Sequence, residues 1–193
     1  MSVVVAAFEP FAGRKKNRAQ RAARLLRADP GVEVVTLPVS FARLPSAIDS
    51  ILAQGPSLLL LVGESRSATT LHIERFALNL AHARLADNDG AQPQHQALVP
   101  DGPLALSVGI DVPKLVLAIE QRGVPVTASA HAGTFCCNAA LYWALIGIGA
   151  QDSAQSATRI AFVHVPSRRR HMRAKLAARG LRAAVVELAT HTI

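Results

Sequence analysis

The feature that most restricts the fold is a series of short apolar runs separated by longer amphipathic ones. Ser57 to Val62 contains four consecutive leucines and runs into Gly63. Ser2 to Phe8, Val32 to Leu37, Val124 to Ala130 and Arg159 to Val165 also read as strands. A strand apolar on both faces belongs in a parallel sheet, where crossover helices cover each side. Asn17 to Ala28, Ser46 to Gln54, Val112 to Arg122, Cys137 to Ile148 and much of Arg168 to Ala189 carry helical spacing. Asp29-Pro30-Gly31, Gly55-Pro56 and Gly123 stop three of them. Phe76 to Ala83 fits a strand or a helix, and Asp87 to Pro103 is a polar loop with two turn clusters. No repeat or linker interrupts the pattern. The expected architecture is α/β: one domain over residues 1–193, a three-layer α/β/α sandwich around a mainly parallel, mixed, twisted sheet. Sites in such folds gather at the carboxyl ends of strands.

Composition narrows the function classes. Half of the 193 residues are hydrophobic and 18% are charged, which excludes a disordered chain. Twenty-one Lys and Arg against thirteen Asp and Glu leave a formal charge of +8, which permits anionic partners without requiring them. Aromatics make up 4%, too few for a base-stacking platform, so nucleic acid is not an expected partner. The densest basic patch is Arg168-Arg169-Arg170 with Arg173, Lys175, Arg179 and Arg182, read as a solvated helix face. An uncharged run, residues 133–150, contains Thr134, Asn138, Gly147 and Gly149 and reads as a buried helix, not a membrane span. Met1 leads straight into Val3-Val4-Val5 without the basic start and apolar stretch of an export signal. The two cysteines, Cys136 and Cys137, are neighbours and cannot staple a fold. These features together imply a cytoplasmic, reduced protein.

Several familiar motifs fail on their own terms. Asp87 and Asp89 before Gly90 suggest a calcium loop, but the position that needs a bidentate glutamate is Leu98. Neither a phosphate-binding loop nor a dinucleotide fingerprint is complete. The seven histidines show no metal-ligand spacing, and neither metal nor cofactor is expected. Gly63-Glu64-Ser65-Arg66-Ser67 resembles a nucleophile elbow, but Ser67 stands where the last glycine must be.

Ala132 to Asn138 is more informative, because it joins a strand to an uncharged helix. A thiol at a helix amino end faces unpaired N–H groups and the positive end of the dipole, and both favour the thiolate. The same N–H groups can hold a developing oxyanion. His164, at the end of an apolar strand, is a candidate partner, and Glu74 a candidate to hold its imidazole. Read without other information, each of these residues could equally be structural: a buried cysteine, a core histidine, and a glutamate paired with Arg75 or Arg84.

The order of motifs resembles the type I pyroglutamyl peptidase family, also called pyrrolidone-carboxylate peptidases. The resemblance begins at Phe8-Glu9-Pro10-Phe11-Ala12-Gly13 with Asn17. It continues through Leu37-Pro38-Val39, Val62-Gly63, Ile73-Glu74-Arg75 with Asn79, Ala83 to Gly90, Gln92-Pro93 and Asp101-Gly102-Pro103. It closes with Ala132 to Asn138 and Val163 to Pro166. Position by position, it implies Cys137 as nucleophile, His164 as general base and Glu74 as the residue orienting it. It also implies Phe8, Phe11 and Phe135 as an aromatic wall for the substrate, with Asn17, Glu64 and Arg84 at polar positions of the site. The implied activity is removal of N-terminal pyroglutamate from peptides through a thioester acyl-enzyme, by a homo-oligomer (dimer or tetramer).

The sequence departs from the family pattern in three places. Glu64 stands where glutamine is usual, Ser65 to Thr70 replaces a glycine-rich stretch containing arginine, and the arginine cluster follows Pro166 almost at once. Two alternatives follow: a cysteine amidase or thioesterase with a shifted pocket, or a catalytically silent relative that binds a polyanion through the basic C-terminal helix.

Overall fold

The computed structural model describes residues 2–150 and 158–190. Its strands are β1 (Val3–Phe8), β2 (Val32–Leu37), β3 (Leu58–Ser65), β4 (Leu71–Leu78), β5 (Ala105–Ser107), β6 (Val126–His131) and β7 (Arg159–Pro166). Its α-helices are α1 (Arg18–Ala23), α2 (Leu44–Leu52), α3 (Val112–Glu120), α4 (Cys136–Ala150) and α5 (Ala174–Thr190). They build one seven-stranded sheet in the order β2-β1-β3-β7-β4-β5, with β6 also pairing β4. The β2-β1-β3-β7 half is parallel, and β4 joins it antiparallel through His72↔His164 and Ile73↔Val163.

The most apolar runs occupy the centre. Every residue of β1 is buried, as are residues 58–63 of β3 and 160–166 of β7. Removing those side chains from water is the main favourable term holding the layers together. Helices α2 and α4 pack on one another, while α1, α3 and α5 pack together on the other side of the sheet. Leu71 on β4 meets α5 so closely that a Cβ on Gly180 would lie 2.5 Å from Leu71 Cδ1. Side chains alternate along a strand, so His72 and Glu74 face the opposite layer, toward α4.

Local chemistry sets the helix starts. Asn17 Oδ1 accepts from the Gln20 N–H at 3.2 Å and caps α1, and Asp111 Oδ1 accepts from the Lys114 N–H at 3.0 Å and caps α3.

Three expectations change. The helix expected over 17–28 ends at Ala23 and tightens into a 3-10 turn, Arg24–Leu26. Of the segment 76–83, which fits strand or helix, only 76–78 are strand, the end of β4, which begins at Leu71 and is paired by β5, β6 and β7. Only part of the basic patch is on a helix: Lys175, Arg179 and Arg182 lie on α5, but Arg168 to Arg173 form the turn before it, since α5 starts only at Ala174. No helix among the described residues is long and apolar enough to cross a membrane.

Candidate active site

The parallel register aligns Gly63 on β3 with His164 on β7, and the antiparallel one sets His164 opposite His72 on β4. Directly paired residues share a face, so Gly63, His164, His72 and Glu74 all point toward α4. Glu74 Oε1 and His164 Nδ1 are 2.7 Å apart, both side chains almost fully buried. Glu74 therefore lies within a strand and pairs across to β7, not with Arg75 or Arg84.

Helix α4 brings the thiol to the same spot. Asn138, wholly buried in its first turn, accepts from the Leu78 N–H at 2.8 Å. Its amide donates to the carbonyls of Leu78 and Leu80 at 2.8 and 3.0 Å. These three bonds pin the start of the helix to the end of β4. Gly63 leaves the space that the thiol and imidazole use. A Cβ there would lie 2.7 Å from Cys137 Sγ, 2.8 Å from Phe162 Cζ and 3.1 Å from His164 Cδ2. The first two are closer than real Cβ contacts and the third is tighter than most, so any side chain here would force its neighbours to shift.

Electrostatics distinguish the members of the cluster. Burial alone would push the His164 imidazole down, but Cys137 and Glu74 outweigh it and hold the group up at about 9. The thiol and the imidazole both pack against Gly63, which places them side by side. For His72 burial is the leading influence and lowers the group, and the charge of Glu74 offsets this only in part. The two cysteines differ sharply. Cys136 is 1% exposed, and burial, reinforced by the neighbouring Cys137, drives its thiol well above the ordinary range. Cys137 is partly exposed and faces the cavity.

That cavity, of about 530 Å³, contains every residue singled out from the sequence. Phe8, Phe11 and Phe135 line its apolar part together with Val39 and Leu85. Phe11 and Phe135 lie 6.0 Å apart between ring centroids. Asn17 lines the wall with its side chain committed to the Gln20 N–H and the Glu9 carbonyl. Arg84 is exposed at the edge. Glu64 also lines it, but its carboxylate is turned into the protein. Arg14 Nη1 donates to Oε1 at 2.6 Å and the Arg18 N–H to Oε2 at 2.8 Å, leaving the side chain 1% exposed. Ser65 sits at the end of β3 with its hydroxyl 3.0 Å from that of Ser67, in a continuing strand and not in an elbow. Among the described residues no group of three or more His, Cys, Asp or Glu is placed to hold a metal.

Sequence reasoning missed four contributors. Phe41 packs edge-on against Phe135 at 5.5 Å and 82°, fixing the ring from behind. Asn138 was noted only as the neighbour of Cys137. His82 and Ser129 line the cavity. Ser129 could have been found from pairing alone, since it is opposite Glu74 in the β4–β6 register.

The chain is 35% identical over 170 residues to the pyrrolidone-carboxylate peptidase of Streptomyces coelicolor, spanning 85% of this chain and 77% of that protein. It is 34% identical over 170 residues to the one from Clavibacter michiganensis, spanning 86% and 78%. Its fold superposes on the crystal structure of pyroglutamyl peptidase I from Bacillus amyloliquefaciens with a TM-score of 0.87 at 26% identity, covering 98% and 97% of the two chains. The pyrrolidone carboxyl peptidase of Thermus thermophilus gives 0.85 at 27% identity, covering 95% and 98%. The pyroglutamyl peptidase profile matches residues 1–189, and with that match spanning nearly the whole chain, the protein belongs to the pyroglutamyl peptidase family.

Proposed function

We propose that the chain is a cysteine exopeptidase that removes pyroglutamate from peptide N-termini, with Cys137 as nucleophile, His164 as general acid–base and Glu74 as its positioning residue. The observation that carries this reading is the Cys137–His164–Glu74 arrangement at the wall of a phenylalanine-lined cavity in a chain of this family. Pyroglutamate is a lactam, so its nitrogen carries no charge and the ring is compact. A site for it needs apolar walls and a few hydrogen-bonding groups, but no carboxylate for an ammonium. The phenylalanines supply the walls. The Arg14–Glu64 pair removes the free carboxylate that the sequence had placed near the lactam.

The steps follow from the groups present. Cys137 gives its proton to His164 and attacks the carbonyl that links pyroglutamate to the next residue. A C–S bond forms, and the carbonyl oxygen takes up negative charge. The first-turn N–H groups of α4 lack intrahelical carbonyls and are the natural donors to that oxygen. His164 then gives its proton to the departing amine as the C–N bond breaks, leaving a thioester. Water, deprotonated by the now neutral His164, hydrolyses it and regenerates the pair. Glu74 keeps the imidazole in the required orientation and stabilises its protonated form.

Release of a reporter amine from a pyroglutamyl substrate tests this reading. Cys137→Ser is expected to abolish release and Cys136→Ser to retain it; the reverse would move the nucleophile by one residue. Activity confined to plain N-acyl amides would replace the peptidase by an amidase. We further propose one peptidase domain over 1–193 in the cytoplasm, where two unpaired thiols remain reduced. Self-association as a dimer or tetramer is supported by the apolar edge near β5, where Leu104 is 89% exposed and Phe76 43%. Light scattering checks the assembly.

A further inference from the structure

We infer that the cavity mouth selects peptides that carry a carboxylate just beyond the scissile bond, read by Arg66 together with the Arg168–Arg170 turn. The inference rests on the peptidase reading above and adds to it the charge of the preferred substrate.

The charges around the cavity are unevenly used. Its two lining carboxylates are both occupied: Glu64 by Arg14 and the Arg18 N–H, Glu74 by His164. Arg66, exposed at the end of β3, also lines the cavity and has no acidic partner among the described residues. The Arg168–Arg170 turn is held beside it. The Ser167 N–H donates to the Ser65 carbonyl at 2.8 Å, next to Arg66, and Arg18 Nη2 donates to the Met172 carbonyl at 2.6 Å at the far end of the turn. Arg168, Arg169 and Arg170 are all exposed there. Arg66 thus stands at the edge of the site, with three more exposed arginines in the turn bonded beside its strand end, and none of the four has a carboxylate partner among the described residues.

The direction of the substrate gives this edge a use. Pyroglutamate is the first residue of its peptide, so nothing precedes it. The rest of the chain must leave Cys137 through the mouth. The lactam is uncharged and gains nothing from the arginines. The first anionic groups available are the side chain of the following residue and, in a pyroglutamyl dipeptide, the terminal carboxylate. Both lie within about one or two residue lengths of the scissile bond, roughly 3–7 Å, and charges closer than the Debye length, about 8 Å at physiological salt, are only partly screened from one another. A cluster of like charges at the lip of a low-dielectric cavity acts strongly at that range.

Comparative kinetics test the inference. The substrates are the amidated peptides pyroglutamyl-Asp-Ala, pyroglutamyl-Ala-Ala and pyroglutamyl-Lys-Ala, with pyroglutamyl-Ala as free acid and as amide. At low ionic strength kcat/KM is expected to be about tenfold higher for Asp than for Lys, and to converge within about twofold near 1 M salt. Preference for the free-acid dipeptide over its amide would assign the terminal carboxylate as a second source of the same charge. Arg66→Glu combined with Arg168→Ser, Arg169→Ser and Arg170→Ser should reverse the Asp-to-Lys order. These side chains are exposed, and an unchanged melting temperature verifies the fold. Equal rates for Asp, Ala and Lys, or a ratio untouched by the variant, would overturn the inference and leave the peptidase reading standing. Hydrolysis of none of the pyroglutamyl substrates would remove both.

Discussion

The cavity has two unlike walls. One is built from the middle of strands and the first turn of a helix: Glu74 on β4, His164 on β7, Cys137 on α4 and Gly63 on β3. Glu74, His164 and Gly63 are buried and Cys137 partly so; Glu74 is bonded to His164, and the thiol and imidazole both pack against Gly63. The other is the edge formed by residues 65–67, with the 167–173 turn bonded beside it; Arg66 and Arg168 are exposed there and have no acidic partner among the described residues. The difference separates chemistry from choice of substrate. Reacting groups need fixed geometry, which strands held on both sides supply. Groups that sort substrates by charge act at longer range and tolerate a turn.

This contrast can be broken from the first wall outward. The largest effect is expected for Cys137→Ala, at least roughly a thousandfold loss of kcat with the fold intact, because the nucleophile is removed and nothing replaces it. Circular dichroism with steady-state kinetics checks both halves.

Glu74→Gln comes next, with a loss of about a hundredfold in kcat and little change in KM, since the amide no longer stabilises the protonated imidazole. It also changes the pH dependence. His164 is held up at about 9 in the folded protein, above its ordinary value of about 6.5. Its bound proton therefore stabilises the fold fully below about pH 6.5, and that contribution disappears as the pH rises through about 9. Denaturation across that range should show the loss in the natural protein, and Glu74→Gln should shift it to lower pH. A variant that lost activity without moving this profile would give Glu74 a merely structural role.

Gly63→Ala tests the packing between the two halves of the site. The added methyl must displace Cys137, Phe162 or His164, so a destabilisation of about 1–3 kcal/mol is expected, with activity falling more than stability explains. Thermal melts alongside kcat separate the two. The smallest effect belongs to Cys136→Ala, about 1 kcal/mol or less from a lost buried sulfur, with kcat within about twofold of the natural protein because the group does no chemistry.

How far the sequence revealed this arrangement depended on the range of the contacts. β1, β3 and β7 were legible because a parallel strand buried on both faces is apolar without interruption. β4 was misplaced because it alternates: Leu71 and Ile73 face one helix layer, while His72 and Glu74 face the other. The start of α5 was misplaced because arginine favours helix and turn alike, and the segment is held by the Ser167–Ser65 bond, which local sequence does not encode. At the site, the helix start and the histidine at a strand end were visible, but the choice between Cys136 and Cys137 needed the family resemblance. Burial now distinguishes them independently. Phe41 behind Phe135, Asn138 bridging to β4, and Arg14 neutralising Glu64 were invisible, because each joins residues far apart in the chain.

The central claim is that the sulfur of residue 137 forms the covalent intermediate beside a protonated His164. Acid-quenched turnover of a pyroglutamyl ester substrate, followed by peptide mapping in a mass spectrometer, tests it directly. The expected result is a pyroglutamyl adduct on Cys137, absent from Cys137→Ala and still formed by Cys136→Ala. An adduct on Cys136 or on Ser65, or turnover with Cys137 removed, would contradict the account.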